Sequence, residues 1–330
     1  MKIKKDELKN IIDGFAGSKS ITFNQNTLFS YNDELLVIAG LKTGFDNVTI
    51  PYAELSGILK LSPKKLNINS ENGLKITGKK FETWISAVET DEFNEFPDIP
   101  EDFIELKTAI KTAIKIVIPN DDGSDFSCIK FQDNTIMSSD NLLINRVTLN
   151  EKLPTGLIRA RHLKLIDTFI FWSENDKFLF FKTDNNTVYG LKKIESHEHH
   201  NFNEFDEHFE FEGDWVEFPD LSDSIKTANI FIGDENEKKE DKKRLVYVQV
   251  KDGKVYVKGE NEKGYSVCDK EIESNNNFSF ATNPERLITA LSFSNKMKLG
   301  KNDSGDYAKA LLEYENVELL IGFLEKEENE

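Results

Sequence analysis

The sequence predicts an α+β protein of three tandem domains, each with two helices packed on antiparallel sheets. Three observations carry this. The string Thr27-Leu28-Phe29-Ser30-Tyr31-Asn32-Asp33-Glu34-Leu35-Leu36-Val37 is closely echoed by Thr135-Ile136-Met137-Ser138-Ser139-Asp140-Asn141-Leu142-Leu143-Ile144. Leu142 lies about 107 residues beyond Leu35, a period as long as a whole small domain rather than a solenoid repeat. An order of helix, strands, helix, strands is read three times along the chain. Finally, Ile110-Lys111-Thr112-Ala113 recurs verbatim as Ile225-Lys226-Thr227-Ala228, at the same place in that order.

The first domain, 1–100, opens on a helix over Asp6–Phe15. Its apolar residues Leu8, Ile11, Ile12 and Phe15 form one stripe, Gly17 closes it, and Lys4, Lys5 and Lys9 lie off the stripe. Alternating strands run through Ile38, Val48 and Ile50. Pro51 then opens a second helix, Tyr52–Leu61, with Leu55, Ile58 and Leu59 inward and Lys60, Lys64 and Lys65 at its end. Residues 66–69, 74–77 and 83–88 alternate as antiparallel strands about a turn at Glu71-Asn72-Gly73. Phe96-Pro97-Asp98-Ile99-Pro100 reads as an extended linker.

The second domain, 101–211, replays the order. A helix is expected over Leu106–Ile114, a hairpin over Ile129–Phe131 and Thr135–Ser138, and a second helix beginning at Ile158–Ile166; Phe178–Phe181 and Thr187–Gly190 close it. The third, 212–330, has a helix over Leu221–Ala228, strands around Tyr247 and Val255, a helix at Asn283–Leu291 and strands ending in Leu319-Leu320-Ile321. Six helix-plus-sheet units suit a closed architecture, with helices on one side and sheets on the other, or a part of a larger ring.

Composition narrows the class. With 330 residues, 38% hydrophobic and 25 Phe, each module has the apolar mass for a core. Two cysteines, Cys128 and Cys268, make no disulfide framework, so a reducing cytoplasm is expected. No apolar run approaches the ~18 residues of a membrane span, and Met1–Lys5 leads into an amphipathic pattern rather than a signal-peptide core. The net charge of −17 argues against wrapping the outside of a nucleic acid. The acidic excess grows toward the C-terminus, which leaves room for a locally positive face.

Other chemistry is sparse. His197-Glu198-His199-His200, with His208 beyond, places His197 and His199 on one side of an extended segment with metal-ligand chemistry. It lacks the helical HExxH spacing and reads first as a polar loop. His162 sits among helix charges with no nucleophile beside it. There is no P-loop, GxGxxG, GxSxG or CxxC, and no cofactor is implied. Residues 234–244 read as a solvated mixed-charge loop, and the Glu325–Glu330 tail as disordered. A metal-dependent hydrolase centred on His197–His208 is the alternative function, but such an enzyme has no need of the repeat.

The chain resembles a bacterial or phage DNA sliding clamp, the β subunit of the replicative polymerase, over nearly its whole length. The resemblance rests on Ser139-Asp140-Asn141-Leu142-Leu143-Ile144, Arg159-Ala160-Arg161, Phe96-Pro97-Asp98, Asn283-Pro284-Glu285-Arg286-Leu287 and the short apolar strand near the C-terminus. It implies a non-enzymatic homodimeric ring whose twelve helices line a hole for duplex DNA. Inner-face candidates are Lys4, Lys5, Lys9, Lys60, Lys107, Lys111, Arg159, Arg161, Lys164, Lys226 and Arg286. It also implies that the polymerase and clamp loader dock short peptides in a groove formed by Phe126, Ser139, Asn141, Leu142, Leu143, Ile144, Ile321, Gly322 and Phe323. Where the family often has glycine-histidine-arginine, this chain has Asn141-Leu142-Leu143. The cationic side of that groove is missing, and this departure and the short chain lean toward a phage or another mobile element.

Overall fold

A computed structural model describes residues 1–32, 34–89, 97–118, 128–139, 143–194, 205–232, 245–261, 264–274 and 276–323. The fold is α+β. The chain forms two compact units, residues 1–112 with 154–194, and residues 113–153 with 195–330. Phe96, Phe126, Asn141, Leu142, the His197–His200 cluster, the 234–244 loop and the Glu325–Glu330 tail lie outside the described residues.

The elements follow the predicted order. They are β1 Lys2–Lys4, α1 Lys5–Asp13, β2 Ser20–Asn24, β3 Thr27–Tyr31, β4 Leu35–Gly40, β5 Val48–Pro51, α2 Tyr52–Leu61, β6 Lys65–Ser70, β7 Gly73–Gly78 and β8 Phe81–Ser86. Then come β9 Ile104–Glu105, α3 Thr108–Val117, β10 Cys128–Gln132, β11 Thr135–Ser139, β12 Leu143–Thr148, β13 Gly156–Arg159, a 3-10 helix Ala160–Thr168, β14 Phe169–Glu174, β15 Phe178–Thr183, β16 Val188–Lys192 and α4 Phe205–Phe209. The last part holds β17 Asp214–Glu217, α5 Ser222–Asn229, β18 Val246–Lys251, β19 Lys254–Asn261, β20 Gly264–Glu271, β21 Phe278–Thr282, α6 Pro284–Phe293, β22 Lys296–Lys301, β23 Tyr307–Tyr314 and β24 Val317–Gly322.

Local chemistry explains the boundaries. Helix α1 buries Leu8 and Ile12, with Phe15 buried just beyond it. Pro51 fixes the extended entry to α2. Asn283 caps α6 by accepting from the backbone N–H of Glu285 and Arg286, with Pro284 next in line. Tight hairpins turn on residues with positive φ, Lys80, Asp133, Asp252 followed by Gly253, and Glu315.

Three expectations are corrected. The repeat is offset one residue further than the string alignment gave, since Thr27 and Thr135 open equivalent strands and so do Leu35 and Leu143. Leu106 precedes the helix rather than opening it: its N–H bonds to Ile170 O, an extension of the β9–β14 pairing, and α3 runs from Thr108 to Val117. Ile158 and Arg159 belong to a strand, and the following helix is of the 3-10 type. Its buried residues, Ala160, Leu163 and Ile166, recur every third position, the period that a 3-10 helix presents on one face. The short helix α4 had no forerunner in the sequence reading.

In the first unit, an eight-stranded antiparallel sheet has the order β5-β2-β3-β4-β16-β15-β14-β9, and a four-stranded sheet the order β1-β6-β7-β8. The two halves of the larger sheet meet where β4 pairs β16, Leu35 opposite Leu191. Gly190 stands opposite Leu36 there, and a Cβ on it would meet the Phe180 ring at 2.9 Å. Phe169 and Phe181 stack at 4.7 Å behind this junction.

In the second unit the strands β10-β11-β12-β24-β23-β22-β17 run in that order, and β20-β19-β18-β21 form a four-stranded sheet. Here β12 pairs β24, Leu143 opposite Ile321. Helix α5 lies on β19 so closely that a Cβ on Gly259 would sit 2.1 Å from Ala228 O. One core of Ile225, Val248, Val257, Phe280, Leu287 and their neighbours includes Leu143 and Ile321.

Candidate DNA and peptide interfaces

Nine of the predicted inner-face cations, Lys4 to Lys164, belong to the first unit. Several are committed to local structure. Lys5 Nζ donates to Lys60 O and Ser62 O, each at 3.1 Å, and so caps the C-terminal end of α2. Lys9 pairs with Asp13 one turn along α1. Lys111 Nζ reaches Asp167 O at 3.5 Å. Lys60 and Lys164 are exposed on their helices, and Lys107 stands just before α3.

Arg159 and Arg161 converge on one carboxylate. Arg159 Nε donates to Glu34 Oε1 at 2.9 Å, Arg161 donates to Glu34 Oε2, and His162 Nε2 lies 3.3 Å from the same oxygen. Burial alone pushes the Glu34 carboxyl up, but hydrogen bonds from Arg161 and His162 and the charge of Arg159 carry it below the usual carboxylate range. Burial pushes the His162 imidazole down against the pull of Glu34, which favours the neutral ring. Neither Glu34 nor His162 was a candidate from sequence. No local signal marks Glu34, whose partners lie 125 to 128 residues further along the chain.

In the second unit, Lys226 stands 3.8 Å from Asp223 on the exposed side of α5, and Arg286 is half-buried in the first turn of α6. The repeated tetrapeptide behaves alike on both helices: Ile110 and Ala113 are buried on α3, Ile225 and Ala228 on α5.

Of the predicted groove residues, the described ones lie on three neighbouring strands, β11, β12 and β24, and just beyond the last. Ser139 is buried at the end of β11, opposite Ile144. Leu143, Ile321 and Phe323 share the core, and the Phe323 ring stacks on Phe280 with centroids 4.0 Å apart. Ile144 is half-buried opposite Leu320, and Gly322 is half-buried opposite Lys309. Beside Phe323 opens a cleft of about 790 Å³ lined by Tyr247, Lys258, Phe280, Asn302 and Tyr307 among others. Its walls mix aromatic rings with amide, hydroxyl and charged side chains.

Among the described residues, no group of three or more His, Cys, Asp or Glu stands close enough to hold a metal, and His208 is exposed on α4. No described helix is long and apolar enough to cross a membrane.

No family model matches this sequence, and no curated protein matches it either. Solved structures do. A putative DNA polymerase III β subunit from Eubacterium rectale superposes with a TM-score of 0.77 at 16% identity, covering 98% of this chain and 99% of that one. The DNA polymerase III β chain of Streptococcus pneumoniae gives 0.77 at 13% identity, with 98% and 99% coverage. The DNA polymerase sliding clamp of Pseudomonas aeruginosa gives 0.73 at 13% identity, with 99% of each chain covered. Across nearly its full length, therefore, the chain has the fold of the DNA polymerase III β subunits, the sliding clamps.

Proposed function

We propose that this protein is a DNA sliding clamp: a non-enzymatic cytoplasmic ring of two copies that encircles duplex DNA and tethers a replicative polymerase through short peptides. Each copy contributes three domains, 1–100, 101–211 and 212–330. The fold carries the reading. Enclosure needs no tight grip, which reconciles a net charge of −17 with a DNA partner.

The sheets support closure by a second copy. The eight-stranded sheet is a half β5-β2-β3-β4 joined to a half β16-β15-β14-β9, and the two four-stranded sheets, β21-β18-β19-β20 and β8-β7-β6-β1, are the same two halves left apart. Their open edges are β20 and β8, which carry the exposed Tyr265 and Val267 on one and Trp84 on the other. Such edges are templates for pairing.

The repeat also supports a register. Thr27, Thr135 and Lys254 open equivalent strands opposite Gly40, Thr148 and Glu271, which makes Leu35, Leu143 and Ser266 equivalent. Leu191 and Ile321 lie opposite the fully buried Leu179 and Ala310; on β8 both Thr83, opposite Ile76, and Ile85, opposite Leu74, meet that description, and we adopt Thr83 as their equivalent. Ser266 then falls opposite Thr83 of the second copy, Tyr265 opposite its Trp84 and Asp269 opposite its Lys80. Ser266 Oγ is buried without a hydrogen-bond partner in the single chain, and a threonine hydroxyl opposite would supply one.

The peptide groove is assigned to Ser139, Leu143, Ile144, Ile321, Gly322 and Phe323, with Phe126, Asn141 and Leu142. The clamp loader is expected to use the same groove, and a phage or mobile-element origin fits the missing cationic side. The deciding experiment loads the protein on nicked circular DNA. A clamp stays through a salt wash that strips it from linear DNA and leaves once the circle is cut. Retention that ignores cutting refutes topological enclosure.

A further inference from the structure

Glu34 gathers three nitrogen-bearing side chains that are far from it in sequence, and it is itself held rigidly. Asn32 Oδ1 accepts from the backbone N–H of Glu34 at 2.9 Å and of Leu35 at 2.8 Å, while Glu34 O accepts from Lys192 N at 2.9 Å. The Arg159 and His162 side chains are largely buried, 18% and 12% exposed, whereas Arg161 at 47% and Glu34 at 34% open to solvent. Two guanidinium groups packed this closely repel one another, and each loses hydration. A carboxylate between them offsets both costs and fixes their orientation. Planar guanidinium forks aimed at one pair of oxygens are also the donor set that recognises a phosphodiester.

We propose that Glu34 is a built-in stand-in for a DNA phosphate: it occupies the point on which Arg159, Arg161 and His162 converge, keeps them in phosphate-binding geometry, and weakens the protein's hold on duplex DNA. This rests on the sliding-clamp reading, in which Arg159 and Arg161 face the duplex. A backbone phosphate has to compete with a carboxylate already tethered in place, so the contact stays exchangeable and the ring stays mobile. Glu34 is a positioning residue, which sets how strongly its neighbours act without contacting DNA.

The test measures binding of a short linear duplex by fluorescence anisotropy across a salt series. Glu34→Gln keeps the shape and one acceptor but removes the charge. It is expected to bind about three- to tenfold tighter at low salt, with a log–log salt slope steeper by about 0.9, the value of one further phosphate contact. Adding Arg159→Gln and Arg161→Gln to it should return affinity to the native level or below. Unchanged or weaker binding by a folded Glu34→Gln protein overturns the proposal. Arg161→Gln in the otherwise native chain is a second reading that does not require Glu34→Gln to fold. Because Arg161 is occupied by Glu34, affinity should change less than about twofold, and a tenfold fall means that Arg161 already grips phosphate directly. Retention of native protein on a nicked circle is scored in parallel. Its failure refutes the ring, whereas intact retention with an unresponsive Glu34→Gln refutes only the role of Glu34.

Discussion

Arg146 on β12 and Glu318 on β24 stand directly opposite one another, joined by two hydrogen bonds, Nε to Oε2 at 2.6 Å and Nη2 to Oε1 at 2.8 Å. The guanidinium also lies 4.0 Å over the Phe209 ring, so it pins the short helix α4 to the junction of two half-sheets. A bidentate, stacked arginine is not replaceable by lysine. Glu318→Ala and Arg146→Lys should each cost about 1–3 kcal/mol. Hydrogen exchange at the β24 amides reads the loss, and unchanged protection would mean that the pair is an ornament of the surface.

Helix α5 rests on β19 through the missing side chain of Gly259. A methyl group there would sit 2.1 Å from the Ala228 carbonyl oxygen, which is backbone and has no rotamer with which to yield. Gly259→Ala is therefore expected to destabilise the second unit by roughly 1–3 kcal/mol. Gly17→Ala meets nothing within 4 Å and should cost only the strain of its positive φ. Denaturant midpoints of the two variants should separate accordingly.

Tyr189 donates from its hydroxyl to Gly14 O at 2.8 Å, and burial pushes that hydroxyl up to about 12 from an ordinary 10. The unfolded chain therefore ionises first. The contribution is intact below pH 10 and is lost as pH rises from there toward 12, about 3 kcal/mol over the whole interval. Native protein should lose thermal stability more steeply over that range than Tyr189→Phe, which has no phenol to ionise. Parallel curves would contradict this.

Closure through β20 and β8 predicts that Trp84→Asp or Tyr265→Asp yields single copies by light scattering, because each puts an unpaired carboxylate into the strand pairing. The register makes a finer prediction. Lys80→Asp weakens the dimer by reversing one charge of a cross-strand pair with Asp269, and Asp269→Lys in the same chain restores it. If the double variant is weaker than both singles, the register is wrong.

The sequence by itself determined the repeat and most of its elements. Alternating and 3.6-residue patterns are local signals, and α2 lies over Tyr52–Leu61 as the spacing predicts. The same patterns placed Ile321 on a strand, whereas β12, with Leu143 at its start opposite Ile321, emerged only from the fold. What the tertiary structure alone decided lies in contacts between residues far apart in the chain. Glu34 reads as one turn residue in an acidic protein until the fold brings Arg159, Arg161 and His162 to it, and Arg146 is anonymous until Glu318 stands across from it. Even the 3-10 helix was settled this way: Ala160, Arg161 and Leu163 all favour an α-helix locally, but the fold buries Ala160, Leu163 and Ile166, every third residue, on the tighter winding. Periodicity records which side of an element is buried, because burial is an average over one face. Ion pairs and register depend on single atoms meeting across the fold, and no stretch of sequence carries both partners.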